Sequence, residues 1–426
     1  MKAVFHGNYV TVFLDDVAKY EALKMFSDKY FAYELKKWNP DIKAYEFFMV
    51  RRYWFNPSRL SFTTFRGLTV RVKRIAENLK MGRVEAKYRE LDYDLYEAKF
   101  LRKYQLEALI SILKQIELQG AATLMAATGS GKTEIAVALH KVLKPRKTFF
   151  LSLNTDLLIQ ARDRFKKYGE EAGLVNKDYF QIDYHVVCCT VQTLYRAIKT
   201  YEAYEYPEEE VDEEVRHLLE ETDVQDKLKL YETYRKADLV IMDECQHVPA
   251  RTVWYTSMSN PNALRLALSA TPWRDDGRDL DIYACYGDMV PRRILSSELI
   301  EKGYLVPVKI YFAHYFPKYA KDFEGKRGGP WLFNKVKKAV YQDPIRNQLI
   351  ARIAQKSPKP FMILVKEIKH GELLEKECKK LGLKVAFLYG QVDPDIRAMI
   401  FNLVRGAKID GIICTTLADR ASMAPA

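Results

Sequence analysis

The sequence predicts an α/β protein of two parallel-sheet lobes, the second incomplete, preceded by a small α+β N-terminal domain. Three observations carry this. From residue 99 onward, apolar runs of strand length alternate with segments of helical period, the pattern of a doubly wound parallel sheet. The run Ala121 to Met125 leads into Ala126-x-x-x-x-Gly131-Lys132-Thr133, a phosphate-loop pattern with Ala in its first position, and Glu134 to Leu143 reads as a helix. Further on, the run Leu239 to Met242 ends in Asp243-Glu244-Cys245-Gln246-His247, an acidic pair where a buried strand stops.

The 426 residues suffice for two or three domains, and 48% hydrophobic with 29% charged residues is the balance of a globular protein. No apolar run approaches the roughly 20 residues of a membrane span, and Met1 to Leu14 has no signal-peptide pattern. We therefore expect an intracellular protein of the cytoplasm or nucleoid, with no membrane partner; the sequence leaves the oligomeric state open, a monomer being favoured. The six cysteines form no C-x-x-C pair and sit mostly in apolar runs, which predicts buried, reduced thiols. The net charge of +12 points to nucleic acid, and its distribution sharpens the point. Residues 51–89 carry a balance of +9, whereas residues 202–223 carry −10.

Residues 1–98 read as the α+β domain, with strand-like runs at Ala3 to Phe5, Val10 to Leu14 and Leu68 to Val72 and a helix near Val17 to Tyr33. Within it, Tyr45, Phe47, Phe48, Tyr53, Trp54 and Phe55 interleave with Arg51, Arg52, Arg59 and Arg66. Arg51, Arg52 and Trp54 are candidate DNA contacts, since such a mixture stacks on bases and grips phosphates. Alternation on half-buried strands would look the same. Residues 99–304 form the first lobe, with helix Tyr104 to Gln119, strand Thr148 to Leu153, helix Asp156 to Lys167, strand His185 to Cys189, helix Val191 to Thr200 and strand Leu264 to Leu268. An acidic insertion near 202–236 interrupts it, either a solvated surface element or a docking arm, with Gln225 to Lys236 able to be helical. Residues 305–426 form the second lobe: strand Val306 to Phe312, a basic segment near 318–338, then helix Pro344 to Gln355, strand Pro360 to Val365, helix Ile368 to Leu381, strand Lys384 to Leu388, helix Pro394 to Val404 and strand Asp410 to Cys414.

The two motifs together read as a nucleotide triphosphatase using ATP and Mg²⁺. Thr128, Gly129, Ser130, Gly131, Lys132 and Thr133 would bind the nucleotide, the glycines turning backbone N–H groups toward the phosphates. Lys132 would reach the β- and γ-phosphates, Thr133 and Asp243 would hold the metal, and Glu244 would orient or deprotonate water. Gln246 and His247 would lie beside the γ-phosphate and pass its presence to Ser269 and Thr271. His247 could equally be a helix-start residue, and Ser269 and Thr271 could merely cap a turn.

A phosphate loop, the Asp-Glu-Cys-Gln-His box and Ser269-Ala270-Thr271, followed by a second α/β unit, resemble a superfamily-2 helicase over residues 100–426. The resemblance implies two RecA-like lobes. Arg102 and Gln105 match its adenine-reading element, with Lys103 where Pro is usual; Asn154, Thr155, Thr190 and Gln192 match its DNA-contacting positions, with Asn154 in place of Pro. Gly390, Arg397 and Phe401 look like its second-lobe pattern. Thr271-Pro272-Trp273-Arg274-Asp275-Asp276 is similar to the Arg-Glu-Asp element of the XPB-like branch, which includes phage recombination helicases and restriction-enzyme motor subunits; this implies DNA roles for Arg274, Asp275 and Asp276. The basic segment near 318–338 stands where that branch has a thumb-like insertion.

Asp419 to Ala426 keeps only the Asp, Pro and last Ala of the family's corresponding motif, and the arginine-finger motif does not follow. The expectation is a truncated motor that binds ATP and turns it over poorly. The expected function is an ATP-dependent DNA helicase acting on duplex or forked DNA in repair, recombination or replication. Two alternatives stand beside it: a double-stranded DNA translocase serving a nuclease partner, and a DNA-structure-binding module with a weak motor.

Overall fold

Short alternating segments lay down two antiparallel sheets at the N-terminus of the computed structural model, which describes residues 1–39, 44–205, 223–317, 323, 325 and 329–415. The strands are β1 (Lys2–His6), β2 (Tyr9–Phe13), β3 (Ala32–Asn39), β4 (Ala44–Arg51), β5 (Tyr53–Asn56) and β6 (Ser61–Phe65). Four of them pair in the order β1-β2-β6-β5, while β3 and β4 form a separate two-stranded ribbon. The helix Val17–Phe31 starts where the Asp16 side chain accepts the Lys19 N–H, and it buries Tyr20, Leu23, Ser27 and Phe31, one helical face, against this sheet. The strand-like run Leu68 to Val72 is a correction. It opens the helix Thr69–Asn78, because the buried positions Thr69, Val72, Ile75 and Ala76 recur with helical spacing once the window extends past residue 72.

Six parallel strands then form the first lobe: β7 (Ala121–Met125), β8 (Thr148–Ser152), β9 (Ala172–Val175), β10 (Val186–Thr190), β11 (Leu239–Asp243) and β12 (Leu264–Ser269). Their order is β7-β12-β11-β8-β10-β9. Helices cover both faces, so the strands are buried almost end to end and read as uninterrupted apolar runs. This order brings the C-terminal ends of β7, β12, β11, β8 and β10 to one edge, where ligands of open α/β sheets sit. All six cysteines are buried and unbridged.

The chain divides into two compact units, Met1–Pro307 and Val308–Ala426. The second contains a smaller parallel sheet of β13 (Phe361–Val365), β14 (Val385–Leu388) and β15 (Gly411–Thr415), ordered β13-β15-β14. With the first sheet, it gives two RecA-like parallel-sheet lobes behind a small antiparallel α+β domain. The expected strand Val306 to Phe312 does not form. Val306, Val308, Ile310, Tyr311 and Phe312 are strongly exposed, and no ladder partner stands beside them among the described residues. The helix Val224–Arg235 closes the acidic insertion, whose residues 206–222 lie outside the described set. Of the basic segment, 318–322, 324 and 326–328 lie outside it, and Pro330–Gln342 is a helix. Asp419 to Ala426 also lie outside it. Among the described residues no helix is long and apolar enough to cross a membrane.

The N-terminal sheets are fastened to the first lobe by arginines that end on main-chain carbonyls. Arg66 is fully buried, donates to the carbonyls of Pro261 (2.8 Å) and Ala263 and to the Tyr88 hydroxyl (2.8 Å), and burial beside Arg265 pushes its pKa down to about 9. Arg265, on β12 and equally buried, donates to the Asn260 and Cys285 carbonyls and to the Asn8 side chain. Gly67 passes so close to the helix Asp279–Tyr286 that a Cβ there would lie 2.3 Å from the Tyr283 carbonyl oxygen. Arg66→Ala strands several buried carbonyls and leaves a void, so it is expected to lower stability by about 3 kcal/mol. Urea unfolding of the whole chain checks this, and a loss below about 1 kcal/mol would show that the arginine latch is not what joins the sheets.

Candidate nucleotide site and nucleic-acid face

The loop after β7 turns on two glycines in the left-handed region, Gly129 at φ +77° and Gly131 at φ +84°. A Cβ on Gly131 would also collide, lying 2.2 Å from Gln105 Nε2, and one on Gly129 would lie in a tight 3.1 Å contact with Leu305. The N–H groups of Gly129, Gly131, Lys132 and Thr133 find no main-chain acceptor among the described residues. They open the helix Lys132–Leu143, so unused donors and the positive helix end converge in one concavity. The buried Ser130 hydroxyl has no hydrogen-bond partner there either. Donors without acceptors are the chemistry a polyphosphate satisfies, and the loop fits such a group.

Opposite the loop, β11 ends at Asp243, and Glu244 takes the left-handed conformation at φ 54° and ψ 54°. A non-glycine residue is rare there. In this geometry Glu244 Oε1 stands 3.6 Å from Lys132 Nζ, and Glu244 Oε2 accepts a 2.8 Å bond from Gln246 Nε2. Gln246 Oε1 in turn accepts from Ser269 Oγ at 2.7 Å, and that hydroxyl oxygen accepts the Thr271 N–H at 2.9 Å. Lys132, Glu244, Gln246, Ser269 and Thr271 thus form one connected chain from the phosphate loop to the end of β12. Burial pushes the Asp243 carboxyl up to about 6, opposed by the Lys132 charge and reinforced by Glu244. His247 closes the short turn Cys245–His247, its N–H on the Glu244 carbonyl at 3.2 Å.

Gln105 holds the loop from behind: its Nε2 donates to the Ser130 carbonyl at 2.9 Å and its Oε1 accepts the Arg102 N–H at 2.8 Å. The Tyr104 hydroxyl reaches the same Ser130 carbonyl. The Arg102 guanidinium lies 4.4 Å from the Tyr304 ring centroid, and Thr128 is exposed on the loop. Tyr304 and Leu305 press on the site from about 170 residues downstream. Nothing in the local sequence marks them, since only the fold brings them there.

The nucleic-acid candidates are placed less uniformly. Asn154 caps the helix Thr155–Lys167 by accepting the Asp156 N–H at 2.8 Å, and Thr190 bonds Thr193 Oγ1 at 2.7 Å, whereas Gln192 is exposed. Arg51 forks onto Asp28, and Arg52 pairs with the buried Asp281 at 2.8 Å. Trp54 is half exposed. On the ribbon, Tyr45, Phe47, Phe48 and Met49 are also exposed, with Lys36 Nζ 4.1 Å from the Tyr45 ring centroid. Arg274 is bonded to the Gln246 carbonyl and to Asp276, while Asp275 faces solvent.

The sequence model of a family described as "Type III restriction enzyme, res subunit" matches residues 99–274. Over 98% of its length the chain is 25% identical to "Putative helicase 22" of Sulfolobus islandicus filamentous virus, spanning 71% of that protein. It is 26% identical to "DNA 3'-5' translocase XPB2" of Sulfurisphaera tokodaii over 49% of this chain and 39% of that one. Among solved structures, that of UvsW from bacteriophage T4 aligns over 97% of this chain and 79% of that one, with 16% identity and a TM-score of 0.46. The chain thus has a helicase- or translocase-like fold, similar to that family over residues 99–274 and to a viral protein named as a putative helicase along most of its length.

Asp243 supplies a pH signature. Its folded pKa of about 6 lies above the ordinary carboxylate value of 3.8, so its contribution to stability is fully present below about pH 4 and is lost as pH rises through 6. The residue keeps some solvent exposure at the strand end, so the effect falls below the full shift. In EDTA, Asp243→Asn is expected to be more stable than wild type by about 1–2 kcal/mol at pH 8, with the difference vanishing near pH 4. Urea midpoints at the two pH values measure it. A pH-independent difference would mean the carboxyl titrates normally.

Proposed function

We propose that the chain is an ATP-dependent DNA motor of the XPB-like kind, hydrolysing ATP at the phosphate loop to unwind or remodel duplex or forked DNA. The observation that carries this reading is the connected chain from Lys132 through Glu244 and Gln246 to Ser269 and Thr271. It joins the phosphate loop to the sheet edge that bears Thr190, Gln192 and the loop after β12. Thr133 and Asp243 would hold Mg²⁺, which when bound neutralises charge on the β- and γ-phosphates. Lys132 is now paired with Glu244, and a polyphosphate competes for its ammonium. Release of that pair frees a carboxylate oxygen of Glu244 to orient water, with Gln246 still fixing the other. Ser269 and Thr271 then sense where Gln246 lies.

On the DNA side, the exposed Gln192, Trp54 and ribbon aromatics can meet bases or backbone, and Arg51 and Arg52 would contribute mainly by setting local charge. The match to a restriction-enzyme res subunit and the similarity to a named translocase favour a second reading, translocation along intact duplex beside a nuclease partner.

ATP hydrolysis by the chain and by Lys132→Ala, without nucleic acid and with single-stranded DNA, forked duplex and RNA, tests the proposal. We expect DNA-stimulated turnover that Lys132→Ala lowers by about 100-fold or more, since the lysine bears on the developing phosphoryl charge. Strand displacement against triplex displacement then separates unwinding from translocation. Turnover or nucleotide binding indifferent to Lys132→Ala would remove the phosphate-loop reading and leave a DNA-binding module.

A further inference from the structure

We infer that Arg274 and Arg278 are positioning residues for the nucleotide site, fastening the segment after β11 through its main chain, and are not DNA contacts. The inference rests on the ATPase reading above. Arg274 Nη1 donates to the Gln246 carbonyl at 3.0 Å, while its Nε and Nη2 fork onto Asp276 at 2.8 and 2.6 Å. Arg278 Nε donates to the same Asp276 carboxylate at 3.0 Å, and its Nη1 donates to the Pro249 carbonyl at 3.1 Å. One carboxylate therefore clamps two guanidiniums, and each reaches a carbonyl of the segment that begins at Glu244. The two arginines hold the Asp276 carboxyl far below the usual carboxylate range. Three of the five N–H groups of Arg274 are committed in this way, two of them to a planar fork that a phosphate would have to break.

The clamp matters because of what Gln246 does. Its side chain joins Glu244 to Ser269, and its carbonyl is held by Arg274. Ser269 ends β12 and Arg274 lies in the loop that follows it, so a displacement of that loop bears on Gln246 at both its side chain and its main chain. The solvent-facing members of the stretch include Trp273, 43% exposed, and Asp275. A nucleic acid that touches Trp273 would thus act on the Glu244 carboxylate through two hydrogen bonds, with Arg274 transmitting the contact. The sequence resemblance alone would put Arg274 and Asp276 on DNA. Their side chains bond each other, and Arg274 also ends on the Gln246 carbonyl, although Asp276 keeps solvent exposure.

Arg274→Lys is the test, because an ammonium cannot keep both the Asp276 fork and the Gln246 carbonyl. Amide hydrogen exchange in nucleotide-free protein is expected to rise about fivefold or more across residues 244–250 and to stay unchanged in β7 and the helix Lys132–Leu143. In steady-state ATP hydrolysis, kcat should fall about tenfold with KM within twofold, while DNA affinity and its salt dependence remain those of the wild type. Unchanged exchange with weaker DNA binding and a salt slope smaller by about one would overturn the inference and make Arg274 a phosphate contact. Faster exchange with unchanged kcat would overturn it too. If Arg274→Lys does not fold, Arg278→Lys, whose ammonium cannot keep both the Asp276 and the Pro249 bonds, carries the same comparison. Lys132→Ala run in parallel keeps the two readings apart. If the wild type neither binds nor hydrolyses ATP, the ATPase reading fails, while exchange at 244–250 still decides whether the arginines fasten that segment.

Discussion

The side-chain amide of Gln246 ties Glu244 to Ser269, and it can do so only because β11 and β12 leave the sheet level with each other. Their parallel register sets Asp243 opposite Leu268, so Glu244 and Ser269 emerge side by side at the sheet edge. A slip of one residue would turn every side chain of one strand to the other face, carry Ser269 away from Gln246 and mismatch the packing against the helices on both faces. The almost complete burial of both strands makes such a slip prohibitive. Core packing on the inner strands thereby fixes the geometry of a polar network outside the core. The left-handed backbone at Glu244 works in the same sense. It costs conformational energy, which the surrounding bonds from Lys132 and Gln246 help to offset.

The same logic ties the N-terminal sheets to the first lobe. Arg66 and Arg265 are buried with carbonyl partners, and Arg52 and Arg71 add ion pairs to Asp281 and Asp288. A guanidinium left without acceptors in such a place is costly, so these contacts open together or not at all. Whatever the exposed ribbon aromatics or Trp54 touch is accordingly held by the lobe that carries the phosphate loop. The basic balance of residues 51–89 is thus divided. Some of its charge is spent inside the protein, and the remainder sets the surface field.

Much of this was legible in the sequence for a definite reason. Parallel strands buried on both faces leave unbroken apolar runs, so β7, β8, β10, β11 and β12 could be placed from the chain alone. Lys132, Asp243 and Glu244 followed from their spacing to those runs. The misread stretches are those where a short apolar run has no periodicity of its own: Leu68 to Val72 proved helical and Val306 to Phe312 gained no ladder. Arginine was the harder case. A guanidinium that ends on a carbonyl, as at Arg66 and Arg274, leaves no partner residue type to read, so its motif resembles that of a phosphate-binding arginine. Tyr304 and Leu305 were illegible for another reason, since the approach of Tyr304 to Arg102 and of Leu305 to Gly129 exists only in three dimensions.

The electrostatics of the site argue that its resting and working arrangements exclude one another. Glu244 has one carboxylate oxygen facing Lys132 and the other bonded to Gln246, so both are occupied. Asp243 beside it is a carboxyl that burial makes reluctant to ionise, and Lys132 is the charge that most opposes that reluctance. Drawing Lys132 away therefore removes the cation that most opposes the burial of Asp243, next to the partly exposed Glu244 carboxyl. On the proposed reading, a polyphosphate that took the lysine would be accompanied by a divalent cation, which Thr133 and Asp243 would hold. On the proposed ATPase reading, charge balance would couple freeing of the Glu244 carboxylate to the joint arrival of phosphates and a divalent cation, and Gln246, bonded to both Glu244 and Ser269, would link the two strand ends.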